Sequence, residues 1–449
     1  MAQDLTQGPV GGHLRRQATP MAMGLIAIIS FDAVDLLFVA QLGAAQLAAM
    51  SFCFPAIWLL TSVNIGFEAG AASTISRSIG GGDTSGARRL TTDTALLAGL
   101  TSVGLALLGL LTITKVFPLL GAGEELLPLI ADYMGIWYLA MPAAAVYWVC
   151  LASMRARGNT MLEGKVIALA ALLNLILDPI LIFGLFGMPR LEMAGAALAT
   201  LLSNVTVMIG TLVYLHFRLG VLATLKVPVA VVFASWRRVL RIGLPATLTN
   251  TIVPLSNSVI VTLVAQYGAP AVAGLGIAMR IEPVALIAFY ALSAVTSPII
   301  GQNFGAGIYH RLELVRGLIG RFALMFGLVL AAILALVGEG VSRLFTDSDA
   351  SLLVSSSYLM IMPLSYGGYG MVMCACAAFN GLDLPGRAVL LSALRAIFVL
   401  LPLAWLGQHF FGLSGLFVGA AGANIIVGIS GYIWLGRTIR SVTEQSGAQ

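Results

Sequence analysis

The stretch "PMAMGLIAIISFDAVDLLFVAQLGAAQLAAM", Pro20 to Met50, decides the fold in two ways. Its apolar run is long enough to cross a bilayer, which takes roughly 20 residues of helix. It also recurs: at a shift of 225 residues "PATLT…VAQYGAPAVAGL", Pro245 to Leu275, lies under it without a gap. Farther along, "ISRSIGGG" (Ile75 to Gly82) falls on "IGQNFGAG" (Ile300 to Gly307), and Pro142, Pro179, Gly195 and Asn204 match Pro363, Pro402, Gly415 and Asn424 at slightly smaller shifts.

The whole chain has the same character. Of 449 residues 59% are hydrophobic and 10% charged, where a soluble domain carries about 25% charged residues. This composition is that of an integral membrane protein. The apolar segments are too long for a transmembrane β-barrel, whose strands alternate over about ten residues. Twelve helical spans are predicted, at 20–40, 47–72, 91–114, 127–152, 163–184, 194–216, 240–265, 271–298, 315–338, 351–379, 387–406 and 413–436. Six spans per repeat is an even number, so both halves enter the membrane in the same sense, and a pseudo-two-fold axis along the membrane normal is expected. The predicted order is a cytoplasmic segment 1–19, an N-lobe 20–218, a linker 219–236, a C-lobe 237–440 and a cytoplasmic tail 441–449.

On the side shared by the termini, the loops carry 19 of the 24 Lys and Arg residues. The positive-inside rule then makes both termini cytoplasmic, as in a multi-pass protein of a bacterial inner membrane. The net charge of +5 reports this topology and does not call for nucleic acid. The polar first nineteen residues precede a span that is expected to be retained and not cleaved. Cys53, Cys150, Cys374 and Cys376 all fall in apolar spans and read as buried thiols. His13, His216, His310 and His409 have no metal-ligand spacing, so no metal or resident cofactor is expected.

"IGGGDTSGARRL" (Ile79 to Leu90) lacks the Gly-Lys-Ser/Thr ending that cradles phosphates and reads as a cytoplasmic turn. Transport by such a chain needs an ion gradient, and the coupling groups are ionisable residues inside spans, where each is costly and therefore a functional candidate. These are Asp32, Asp35, Glu68, Asp178, Arg280, Glu282 and Arg395. Glu68, near a cytoplasmic loop, and the neighbours Arg280 and Glu282 suit ion pairing as well as coupling. Asn174 and Asp178 stand one turn apart on one helix face. Pro179 follows, and its ring displaces the carbonyl four residues back, so an acceptor-rich patch for a proton or small cation is expected. Asp32 and Asp35 project within about 60° of each other. Facing an apolar cavity they cannot both ionise cheaply, which suits loading and release of a proton; a plain helix contact is the other reading of Asp32.

"VDLLFVAQLGAAQLAAM" (Val34 to Met50), "LNLILDPILIFG" (Leu173 to Gly184), "GQNFGAG" (Gly301 to Gly307) and the two-times-six architecture resemble the MATE multidrug and toxic compound extrusion transporters over about residues 15–440. The resemblance implies a secondary antiporter with two six-helix lobes that exports cationic or amphipathic organic compounds against H⁺ or Na⁺ and works as a monomer in the lipid membrane. It is closer to the DinF-type branch, whose coupling cluster maps here onto Asp35, Asn174 and Asp178, with Thr200 as the hydroxyl from span 6 and Pro20 as the bending proline. The NorM-type branch also places acids in spans 7 and 10. Here span 7 offers Asn250 and Asn257 and no acid, so coupling through the N-lobe is expected.

Spans 4, 8 and 10 are rich in Met and aromatic residues that can repack around varied ligands and attract a cation. Tyr138, Met141, Tyr147, Met154, Phe289, Tyr290, Tyr366, Tyr369 and Met373 are the candidate substrate-binding residues, and Pro20 and Pro179 the candidate hinges. The rival functions are a lipid-linked oligosaccharide flippase, disfavoured by the few intramembrane Lys and Arg residues, and an uncoupled channel or signalling protein.

Overall fold

A computed structural model describes residues 4–447, and among these the chain is helical throughout with no strand. The first half forms α1 (Val10–Leu42), α2 (Ala44–Gly80), α3 (Thr84–Leu119), α4 (Leu127–Ala156), α5 (Thr160–Phe183) and α6 (Glu192–Val213). The second half forms α7 (Val229–Ala265), α8 (Ala269–Ala285), α9 (Ile287–Gly305), α10 (Tyr309–Arg343), α11 (Asp349–Ile361), α12 (Tyr366–Gly381), α13 (Pro385–Ala393) and α14 (Leu400–Gly447). The repeated motif is a turn between helices. Its glycines, Gly43 and Gly268, hold φ values of 140° and 92°, a region L side chains rarely adopt.

The repeats differ in where their helices break: α4 runs unbroken through Pro142, whereas span 10 is interrupted at the matching Pro363. The counterpart of the unbroken α2 is the pair α8–α9, bent by 48°. Pro283 stands before the break, where the first half has Trp58, and a proline inside a helix removes one backbone hydrogen bond. Span 10 is likewise divided into α11 and α12 by a 3-10 turn at Met362–Ser365 that contains Pro363.

Among the described residues, ten helical runs are long and apolar enough to cross a membrane, and α8–α9 makes an eleventh. The long run Pro385–Gln445 holds two of the expected spans, because the chain turns at Gly412 (φ 64°, ψ −148°). Gly419 then lies against the carbonyl of Leu403 and Gly415 against that of Gly407, contacts that a straight helix cannot make. The polypeptide is therefore a twelve-span, all-α membrane protein.

Two compact units result, residues 23–247 and residues 4–22 with the chain from 248 onward. These bounds depart from lobes drawn at 20–218 and 237–440, and local bonding gives the reason. In the second unit Leu5 donates its backbone N–H to Gln302 Oε1 at 3.0 Å, and Arg311 donates to the carbonyls of Leu5 and Gly8 at 3.0 and 2.8 Å. In the first unit Trp236 Nε1 donates to the Asp93 carbonyl at 2.8 Å, and Val239 is buried among α2, α3 and α4. The stretch read as a linker is also tied down: Arg88 donates to the Leu222 carbonyl at 3.0 Å and the Ala223 N–H to Thr92 Oγ1 at 2.8 Å.

In the first unit α4 packs on α2, α3 and α6; in the second, α12 packs on α9, α10 and α14. All four cysteines are buried and unbonded to one another.

Candidate ion-coupling site

α5 starts at Asn159, whose side chain accepts the Leu162 N–H at 3.2 Å, and it runs through Pro179 to Phe183. This helix presents Asn174 and Asp178 to α6. Asp178 is 0% and Asn174 5% exposed. With its amide nitrogen toward the acid, Asn174 donates to both Asp178 carboxylate oxygens at 2.9 and 3.0 Å and accepts from Thr200 Oγ1 at 3.2 Å. Gly195 makes this possible. A side chain there would collide with the Leu181 carbonyl, so only glycine lets α6 approach the end of α5 and bring Thr200 to Asn174.

The two amide orientations have different proton requirements. An NH₂ facing Asp178 suits the ionised carboxylate, which only accepts. In the opposite orientation Nδ2 donates to Thr200 Oγ1 at 3.2 Å, and Thr200 donates to the Ala196 carbonyl at 3.2 Å. The amide oxygen then faces Asp178, and only a protonated carboxyl can bond to it.

α1 reaches the same place. Phe38 meets Phe183 edge to face with ring centroids 6.1 Å apart, and Gly24 lies against Gly164 and Ile167. The carboxylates of Asp35 and Asp178 lie within electrostatic reach of each other, and Asp32 within reach of Asp35. Asp35 is half-buried and Asp32 exposed. None of the three pairs with Lys or Arg among the described residues. Pro20 lies inside α1, three residues before Met23, where the helix passes from the second unit to the first.

Tyr133 was missed by sequence reasoning. Tyr133, on α4, is 4% exposed and within electrostatic reach of Asp35, Asp178, Asp32 and Cys53. No spacing along the chain ties it to those acids; only the packing of α4 does.

The other intramembrane charges sort into two groups. Arg155 binds both Glu68, at 2.9 Å, and Glu163, at 3.1 Å, so Glu68 is ion-paired. Arg280 and Glu282 do not pair: Arg280 is exposed, and Glu282 accepts from Tyr358 Oη at 2.6 Å. Neighbours in sequence point to different sides of a helix, which defeats that expectation.

The candidate substrate residues are dispersed. Tyr138, Met141, Tyr147 and Met154 are buried in the cores of the first unit, and Phe289 and Tyr366 in that of the second. Tyr290, Tyr369 and Met373 keep exposed surface.

The sequence matches the MatE family over residues 20–180 and 245–406. It is 35% identical over 428 residues to a protein of Shewanella oneidensis named an FAD transporter, covering 95% of each chain. It is 25% identical to the probable multidrug resistance protein YoeA of Bacillus subtilis, covering 90% of this chain and 89% of that one. Among solved structures, the Vibrio cholerae MATE transporter VcmN in the bent form superimposes with a TM-score of 0.91 at 30% identity, covering 96% of this chain and 97% of the other.

Proposed function

Because this chain belongs to the MATE transporter family, we propose that it is a secondary antiporter that exports organic compounds and takes up protons through the cluster Asp35, Asn174, Asp178 and Thr200, with Asp32 in an auxiliary role. The observation that carries this reading is the buried Asp178 carboxylate, held by Asn174 and within electrostatic reach of Asp35, with no cationic partner among the described residues. Two carboxylates this close in a membrane interior repel each other, and one proton between them relieves the repulsion. Loading turns the Asn174 amide, weakens the hold of α5 on the ionised form, and lets α1 bend at Pro20 so that the first unit expels its substrate. Both termini lie in the cytoplasm, as the Lys and Arg distribution supports.

The test is efflux of ethidium from cells under separately imposed pH and Na⁺ gradients. A proton coupling site predicts efflux that follows the pH gradient and is lost in Asp35→Asn and Asp178→Asn. If both variants keep full pH-driven efflux, the reading is wrong; efflux that follows Na⁺ alone reassigns the coupling ion.

A second reading concerns the cargo. A relative at 35% identity is named an FAD transporter, and Arg395 lies inside the second unit over the ring of Tyr369. Both favour flavin nucleotides over purely cationic drugs, and flavin released into the medium by cells expressing the protein measures it.

A further inference from the structure

We propose that the second unit carries a recognition subsite for a planar heteroaromatic ring whose edge alternates carbonyl acceptors with an N–H donor. This rests on the reading of the chain as an exporter of organic compounds and names the chemistry of its cargo.

Three kinds of groups lie within electrostatic reach of Glu282 and its neighbours there. The first is a fixed cationic donor. Arg395 sits in a π-helical turn, Leu394–Val399, and is 5% exposed. Its Nη1 donates to Asn424 Oδ1 at 3.0 Å, Asn424 donates to Ser365 Oγ at 3.1 Å, and the guanidinium lies 4.3 Å from the centroid of Tyr369. This bonding fixes the plane of the guanidinium and leaves further N–H groups to donate. The second is an acceptor. Glu282 Oε2 accepts from Tyr358 Oη at 2.6 Å, and its other oxygen accepts nothing among the described residues. Arg395 is within electrostatic reach of Glu282 but forms no ion pair with it. The third is a donor left over. Tyr366 is 0% exposed, its hydroxyl has no partner, and it lies within electrostatic reach of Glu282, Tyr290 and Tyr369. Tyr290, within electrostatic reach of Tyr366 and Glu282, is 36% exposed.

An unpaired buried hydroxyl and a carboxylate separated from a guanidinium are costly unless something bridges them. A purely cationic ligand fits poorly, because Arg395 already occupies the face of Tyr369 and repels a second positive charge. A bare anion fits poorly because of Glu282. A flat ring that accepts from Arg395 and Tyr366, donates its edge N–H to Glu282 and stacks beside the tyrosines satisfies all of them.

The probe is riboflavin, whose ring has this edge and whose fluorescence falls on stacking, titrated onto the full-length protein in lipid nanodiscs. The comparators are 3-methylriboflavin, which lacks the edge N–H, and ethidium. Saturable quenching by the wild type is expected, weakened about tenfold or more by Tyr366→Phe, by Glu282→Gln and by methylation of the ligand, each of which removes one buried hydrogen bond. The methyl penalty disappears in Glu282→Gln. Tyr366→Phe removes only an unpartnered hydroxyl, so its folding is unimpaired. Riboflavin that does not bind, or binds equally to both variants, overturns the subsite. Ethidium efflux driven by pH in the same protein separates the two ideas: efflux without riboflavin binding sinks the subsite alone, whereas riboflavin binding without efflux of either compound sinks the exporter reading and leaves the subsite supported.

Discussion

Asn174 stands one helical turn before Asp178 and can place its amide nitrogen 2.9 and 3.0 Å from the two carboxylate oxygens, while Thr200 on α6 bonds to the same amide. Asn174→Leu removes a hydrogen bond to a charged group, worth about 1.5–3 kcal/mol, so the balance between proton-loaded and unloaded forms shifts about ten- to hundredfold. Initial rates of ethidium efflux measured against external pH are expected to fall and their pH profile to move. An unchanged profile would mean that the amide is a helix contact and no part of proton loading.

Gly195 sets the distance between α5 and α6. A methyl group added there lies 2.5 Å from the Leu181 carbonyl oxygen, while Gly210 on the same helix has open space. Gly195→Ala is expected to lower the melting temperature and efflux together. Gly210→Ala is neutral or stabilising, by up to about 1 kcal/mol, since alanine favours a helix. Thermal unfolding of the detergent-solubilised protein compares the two.

Among the described residues, Arg155 is the cation paired with both Glu68 and Glu163. Arg155→Met leaves two buried carboxylates unpaired and is expected to cost about 3–5 kcal/mol. Adding Glu68→Gln and Glu163→Gln in the same chain should restore much of the loss, which denaturant titrations of the single and triple variants would reveal.

Asp83 caps α3. Its carboxylate accepts the Gly86 N–H at 2.8 Å and the Ser85 hydroxyl at 3.0 Å, and these bonds hold it below the ordinary carboxylate range. A lowered value means the cap contributes fully above the unfolded-state pKa, about 3.9, and is lost as pH falls through the folded one. Asp83→Ala is therefore expected to cost about 1 kcal/mol at neutral pH and progressively less below pH 4. Equal losses at pH 7 and pH 3.5 would contradict this.

The recurrence of proline and glycine across the two halves foretold part of the architecture. Gly43 and Gly268 were visible as a repeat and prove to be the same helix turn. The pairing of Asn174 with Asp178 was legible because both lie on one helix, where spacing alone sets proximity. Thr200 came from a resemblance, and its arrival depends on Gly195, which sequence spacing does not reveal. Tyr133, the Arg155 triad and the Arg395 cluster were not legible, because each joins residues on different helices, whose packing no spacing along the chain reveals.

The sequence by itself determined that the chain crosses a membrane in twelve helices and repeats itself, since bilayer thickness and the cost of unpaired backbone leave a long apolar run little other choice. It also determined which acids stand in the membrane. Only the tertiary structure decided which of them have partners. Glu68 meets Arg155, Glu282 meets Tyr358 and not Arg280, and Asp35 and Asp178 lie within electrostatic reach of each other with no Lys or Arg paired to either among the described residues. The physical reason is that charges couple over a few ångströms of space, and in a helical bundle those ångströms are set by packing between helices, not by distance along the chain.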